Sequence, residues 1–255
     1  MKKFDKILKE KYLYTKNSNI FKKIYFLYQK MFSHLVKFKK SYSYGGLDLL
    51  LNHLYRNQSN GIYVDVGCHH PIEGNNTYLL HKKGWEGINI DLDPYSVEIF
   101  DYFRPKDCNK NIAISDKKKI VDLFFYHHRS PINTINSSVR DSRISKSNEV
   151  KKIEANTLDH AIENSPYKDR KINFLTIDVE GSELEVLNGF NLKKYCPDVI
   201  VIEFLDLTMK KLEFYNQDIK NIINSPLYLH MLNNNYHLVN WLHSDLVFIN
   251  NNIRD

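Results

Sequence analysis

Acidic residues at the ends of apolar runs, each beside a turn, are where this chain can do chemistry. Asp65 and Gly67 close the run Ile62–Gly67 (IYVDVG). Glycine in a tight strand-to-helix turn lets a ligand approach the backbone, and the next helix start adds amide donors. Asp91 ends the run Gly87–Asp91 (GINID), 24 residues beyond Gly67. A carboxylate there can accept hydrogen bonds from both hydroxyls of a ribose. Asp178, Glu180 and Gly181 form a third turn of this kind (DVEG), and Glu203 ends the apolar run that follows. Carboxylates so placed suit a bound cation, a divalent metal or a proton to be abstracted.

The first turn reads GCHHPIEG, so the dinucleotide pattern GxGxxG is broken. The missing glycine leaves less room for a pyrophosphate. That favours a cofactor with a ribose and no diphosphate, such as S-adenosylmethionine, and weighs against a nicotinamide-dependent oxidoreductase. Methyl transfer to a hydroxyl would need a base, and Glu180, Asp178, His69 and His70 are the candidates. Asp178, Glu180 and Glu203 could instead supply oxygen ligands to Mg²⁺ or Mn²⁺. Plainer roles compete with these. Ser182 could cap a helix with Glu180 and Glu183 near its positive end, and His70 could shape its turn. His127 and His128 read as solvated loop residues.

The elements that must position these residues follow from hydrophobic pattern. Helices are expected at 47–55, 75–83, 94–103, 157–164 and from Ser182 onward. Strands are expected at 62–67, 87–91, 111–115, 120–126, 172–179 and 198–204, with a hairpin over 236–241 and 246–249. Residues 127–148 read as a long loop, a kind of segment that usually carries function. Strands alternating with helices imply a doubly wound, mostly parallel α/β sheet that binds ligands beyond its carboxyl strand ends.

The net charge of +6 is unevenly distributed. Residues 1–40 hold twelve lysines against Asp5 and Glu10, a surplus of 10, which leaves −4 for the rest. Ile20, Ile24, Leu27, Met31, Leu35 and Phe38 recur at helical spacing, so residues 1–58 read as a basic amphipathic extension ahead of a domain at 59–255. A helix packed on the body is the plain reading; contact with an anionic membrane surface or attraction of a phosphate-bearing substrate is the sharper one, and the arm could also dock on another copy of the chain. No nucleic-acid motif accompanies the lysines. Three cysteines without a CxxC disfavour a disulfide scaffold and fit a reducing compartment, and no secretory signal is visible. The expected location is therefore the cytoplasm, with the inner membrane face as a docking place for the arm.

The strings YVDVGCHHPIEGNNTY (63–78), KKGWEGINID (82–91), RPKDCNKNIAIS (104–115), INFLTIDVEGSELEVLNGF (172–190) and DLVFIN (245–250) together resemble the FkbM family of S-adenosylmethionine-dependent methyltransferases over roughly residues 60–250. Cys68 stands where a small alanine is usual, and Asn75 where serine is. The resemblance implies a class I methyltransferase fold, Rossmann-like, with a seven-stranded sheet whose last strand is antiparallel. It implies Asp65 and Gly67 near the methionine part of the cofactor, Asn76 and Thr77 close by, Asp91 on the ribose, and Asp107 and Asn111 near the adenine. It further implies O-methylation of a sugar, nucleotide-activated or glycan-bound, in bacterial surface polysaccharide. A cofactor-binding module without catalysis and an N-methyltransferase are the alternatives.

Overall fold

The computed structural model describes residues 6, 7, 10, 19–32, 39–143, 146–206 and 218–253. The chain divides into two units, Met1–Lys40 and Ser41–Asp255. In the smaller unit Asn19–Phe32 is helical, as the spacing of Ile20, Ile24, Leu27 and Met31 requires. Leu35 and Phe38 lie outside the described residues. Among the described residues no helix is long and apolar enough to cross a membrane.

The larger unit is built on a seven-stranded sheet. Its strands are β1 (Ile62–Val66), β2 (Glu86–Asp91), β3 (Cys108–Asn111), β7 (Phe174–Ile177), β8 (Val199–Glu203), β9 (Tyr236–Leu242) and β10 (Asp245–Asn250). The order across the sheet is β3-β2-β1-β7-β8-β10-β9. The pairings from β3 to β8 are parallel, and β10, the last strand, lies antiparallel between β8 and β9. A three-stranded sheet pairs β4 (Ala113–Ile114), β6 (Glu149–Asn156) and β5 (Lys119–Phe125) in that order.

The central strands are apolar throughout because both faces are covered. Val64, Val66, Leu175, Ile177, Ile200 and Ile202 share one core cluster. Tyr63, Phe174, Val199 and Val201 face the other, with Leu47, Leu51 and Tyr55. The unit boundary therefore falls at Lys40 rather than near residue 58. The helix Leu47–Leu54 supplies core to the sheet, and the Tyr55 hydroxyl donates to the Asn173 carbonyl at 2.8 Å.

Two further expectations change. The strand expected at 111–115 is two strands of different sheets, β3 and β4, parted at Ile112. The expected loop 127–148 contains the helix Ser137–Ser142, started by Asn136, whose side chain accepts from Ser138 N and Val139 N. Pro94 opens the helix Pro94–Phe103 behind the N-cap Asp93, as its fixed φ favours.

Candidate active site

At the carboxyl ends of β1, β2, β7 and β8 lies a cavity of about 350 Å³. The turn after β1 enters it at Gly67. This residue has φ 82°, and a Cβ there would sit 1.7 Å from the Asp178 carbonyl oxygen. Two separate turns thus come within backbone contact only because residue 67 lacks a side chain. The Gly67 and Cys68 amides both donate to Ile90 O, at 2.8 and 3.1 Å, tying the β1 turn to β2.

Asp91 ends β2 on the cavity wall. Its Oδ2 accepts from His69 N and its Oδ1 from Asp93 N, each at 2.8 Å. These bonds fix the carboxylate's orientation, and each oxygen keeps a lone pair for a ligand. Burial still pushes its pKa up to about 6. Leu92, Ile112, Ala113 and Ile114 form an apolar wall of the same cavity.

At the other end stand Asp178, Glu180, Glu203 and Asp245. Oxygen atoms of Asp178, Glu180 and Glu203 lie within 4.8 Å of one another. Asp178 is enclosed by protein yet opens onto the cavity. Desolvation pushes its pKa to about 7, with Asp245, Glu183 and Asp65 adding to the rise. Glu180 is also raised to about 7, by burial first and then by Asp178. Glu203 is raised well above its ordinary value by burial and by the same neighbours, and its Oε2 has no hydrogen-bond partner. Among the described residues no lysine or arginine lines the cavity.

The turn that carries these groups is held from two sides. From below, Glu183 Oε1 accepts from Val179 N at 3.1 Å and from Gly181 N at 2.9 Å. From above, Thr134 Oγ1 donates to Glu180 O at 2.8 Å, Asn136 Nδ2 to Gly181 O, and the Arg143 guanidinium to Glu180 Oε2. Glu180 has φ 58°, a left-handed conformation rare for a side-chain-bearing residue and one that persists only where its surroundings impose it. The segment expected to be a long loop therefore roofs the acidic turn. Ser182 stands at the N-cap of Glu183–Asn188 but makes no capping bond. The Glu183 carboxylate instead ties the helix start back to amides of the preceding turn.

Gly67, Asn76, Asp91, Asp178, Glu180 and Glu203 thus meet on one cavity, as their types suggested. Five expected site residues do not line it. Asp65 and Thr77 are buried behind the first turn, where Asp65 Oδ2 accepts from Thr77 Oγ1 at 2.8 Å and from Asn75 Nδ2 at 3.1 Å. Asp107 lies deeper, accepting from Tyr63 OH, Asn89 Nδ2 and Gly87 N. Asn111 reaches only the Asp91 carbonyl, at 3.1 Å. His70 Nδ1 accepts from Ile72 N at 3.2 Å and from Glu73 N at 3.0 Å. Those bonds make it a turn-shaping residue rather than a base. Its neighbour His69, at φ 50°, lines the cavity instead. His128, expected to be solvated, meets Asp93 Oδ1 at 3.1 Å.

Arg104 is the residue whose part the sequence hid. It is fully buried and joins the groups beneath the first turn. Its NH1 donates to Thr77 Oγ1 at 2.8 Å and to Tyr63 OH at 3.2 Å; its NH2 donates to Asn75 Oδ1 at 2.8 Å and to Pro71 O. The signal was present in RPKDCNKN, but only the fold shows that the guanidinium points back under residues 71–77.

The methyltransferase FkbM domain family matches residues 65–237, which include most of the residues that line the cavity. No curated protein sequence matches the chain. Among solved structures, a TehB-like S-adenosylmethionine-dependent methyltransferase from Corynebacterium glutamicum is similar at 11% identity and a TM-score of 0.39, covering 89% of this chain and 97% of that one. Monomeric WbdD is similar at 12% identity and a TM-score of 0.38, over 80% of this chain and 40% of that one. With the family match extending over most of the larger unit, the chain belongs to the FkbM family of S-adenosylmethionine-dependent methyltransferases.

Proposed function

We propose that this cavity holds S-adenosylmethionine and that the enzyme methylates a sugar hydroxyl of a bacterial surface glycan or its nucleotide-activated precursor. The residues fit the cofactor. Asp91 would take the ribose hydroxyls, and Leu92, Ile112 and Ala113 would flank the adenine. Gly67 and Asn76 would border the methionine part, and the acidic end would face the sulfonium charge. When bound, the cofactor supplies an electrophilic methyl group. The protein's share is to hold the acceptor oxygen in line and to take its proton; Glu180, raised towards neutral pH, is suited to that.

The observation that carries this reading is the Asp91 carboxylate, fixed by two backbone amides on the wall of the cavity. Asp91→Ala should weaken S-adenosylhomocysteine binding about 10–100-fold by calorimetry, the worth of a charge-assisted hydrogen-bond pair. Unchanged affinity would overturn the placement.

A divalent ion is the second reading, favoured by the spacing of Asp178, Glu180 and Glu203 and by the unpartnered Glu203 Oε2. Hard oxygen donors suit Mg²⁺ or Mn²⁺, which would lower the pKa of an acceptor hydroxyl. On this reading EDTA abolishes methyl transfer and Mn²⁺ restores it. Full activity in EDTA removes the ion.

A further inference from the structure

Glu203 and Asp245 occupy directly opposed register positions on the antiparallel pair β8 and β10. Each is less than a tenth exposed, and both line the cavity. Like charges set directly across an antiparallel pair oppose folding. Among the described residues no cation offsets them. Glu203 shares a hydrogen bond with Asp178 and its Oε2 has no further partner, and the Asp245 carboxylate has no hydrogen bond or ion pair among the described residues. Asp178 stands beside Glu203 with a third carboxylate. Arg143, which reaches this end, is taken by Glu180. Two desolvated carboxylates at opposed register positions, with no counter-charge among the described residues, are an arrangement that a cation completes and an anion cannot approach.

We infer that Glu203 and Asp245 form a cation subsite on the acceptor side of the cavity, filled by the ammonium group of an amino-bearing acceptor such as an amino sugar. The inference rests on the methyl-transfer reading above and narrows its acceptor. An ammonium group offers three donors on a compact charge, enough to meet the Glu203 and Asp245 carboxylates together. A neutral sugar would leave both carboxylates without a counter-charge, and a phosphate placed there would face three negative groups. A metal ion would compete for Glu203, so chelation separates the two cations.

The test uses the full chain with S-adenosylmethionine in EDTA. Glucosamine, galactosamine and mannosamine are compared with their hydroxyl parents and N-acetyl derivatives, read by mass spectrometry of the product and by thermal shift of the S-adenosylhomocysteine-loaded protein. At least one free amine should be O-methylated tenfold or more faster than its two counterparts. Glu203→Gln and Asp245→Asn, both isosteric, should each bring that ratio to within about twofold in proteins that still fold, as checked by a cooperative melt. The inference is overturned if no amine is methylated or raises Tm, if the neutral sugars do as well, if the methyl lands on nitrogen, or if turnover requires Mn²⁺. Failure of the wild-type protein to bind S-adenosylhomocysteine would sink the methyl-transfer reading itself.

Discussion

Arg104→Met is expected to destabilise the protein by about 3–5 kcal/mol, the usual cost of removing one partner from a buried charged network. Cofactor binding should go with it. The guanidinium is wholly buried and donates to Pro71 O, Asn75 Oδ1, Thr77 Oγ1 and Tyr63 OH. The last two of those acceptors themselves donate, Thr77 to Asp65 and Tyr63 to Asp107. Remove the cation, and two buried carboxylates lose the positive charge between them. The effect on Asp65 has a definite direction, because burial already raises its pKa and Arg104 is the first influence holding it down. Arg104→Lys should rescue little, since one ammonium cannot span the arc that five fixed donors cover. The measurement is Tm together with S-adenosylhomocysteine affinity. A Met variant with wild-type values for both would show that residues 71–77 hold their shape without the guanidinium. A pure stability role would lower Tm but leave affinity intact well below the transition.

The sheet was legible because its inner strands are continuous apolar runs: IYVDV, FLTI and VIVIE can lie only between two covered faces. The edges were less so. β3 is CNKN, a polar run that only its pairing with β2 makes a strand. β6, EVKKIEAN, alternates poorly because its sheet covers little core, and it went unread. The helices Ile219–Ile223 and Pro226–Asn233 also went unread, although Ser225 before Pro226 is a helix-start signal, and its side chain accepts from Tyr228 N.

In the site, residues placed by strand ends could be read directly, which covers Asp91, Asp178 and Glu203. Residues placed by long-range partners could not. Asp65 and Asp107 are acids of the expected type in the expected strings, but their hydrogen bonds turn them away from the cavity. Asn75 is instructive. Where serine is usual, its amide both donates to Asp65 and accepts from Arg104, so the substitution adds a link to the network beneath the turn. Asp245 drew no notice because a single acid in a hairpin turn is ordinary; only the register with Glu203 makes it unusual.

Glu180→Gln is expected to lower kcat by about 10²–10⁴-fold, the usual worth of a positioned base, and to make the protein more stable at alkaline pH. Both follow from one balance of forces. Burial and Asp178 raise the Glu180 carboxyl to about 7, while Arg143 pulls it down. In the unfolded chain the group titrates near its ordinary value of 4.5. Between those limits the folded state holds the proton more tightly. The stability this contributes is therefore complete below about 4.5 and lost as pH rises through about 7. Glutamine does not titrate and can still accept from Arg143, so the variant should equal the parent near pH 5 and exceed it near pH 8 by about 1–3 kcal/mol. Activity has the opposite sign. The base works only when ionised, so kcat/KM of the wild-type enzyme should rise with pH and level off above about 7. Because Asp178 titrates beside it, the midpoint belongs to the pair. Thermal melts at the two pH values and a pH–rate profile check both halves. Undiminished kcat in the variant would remove Glu180 as the base, and a variant less stable than the parent at pH 8 would mean that the Arg143 pair outweighs the burial of the charge. The left-handed backbone at this residue points the same way as the chemistry: two roof contacts hold the strained backbone of the turn and a third, from Arg143, holds the Glu180 carboxylate at the cavity.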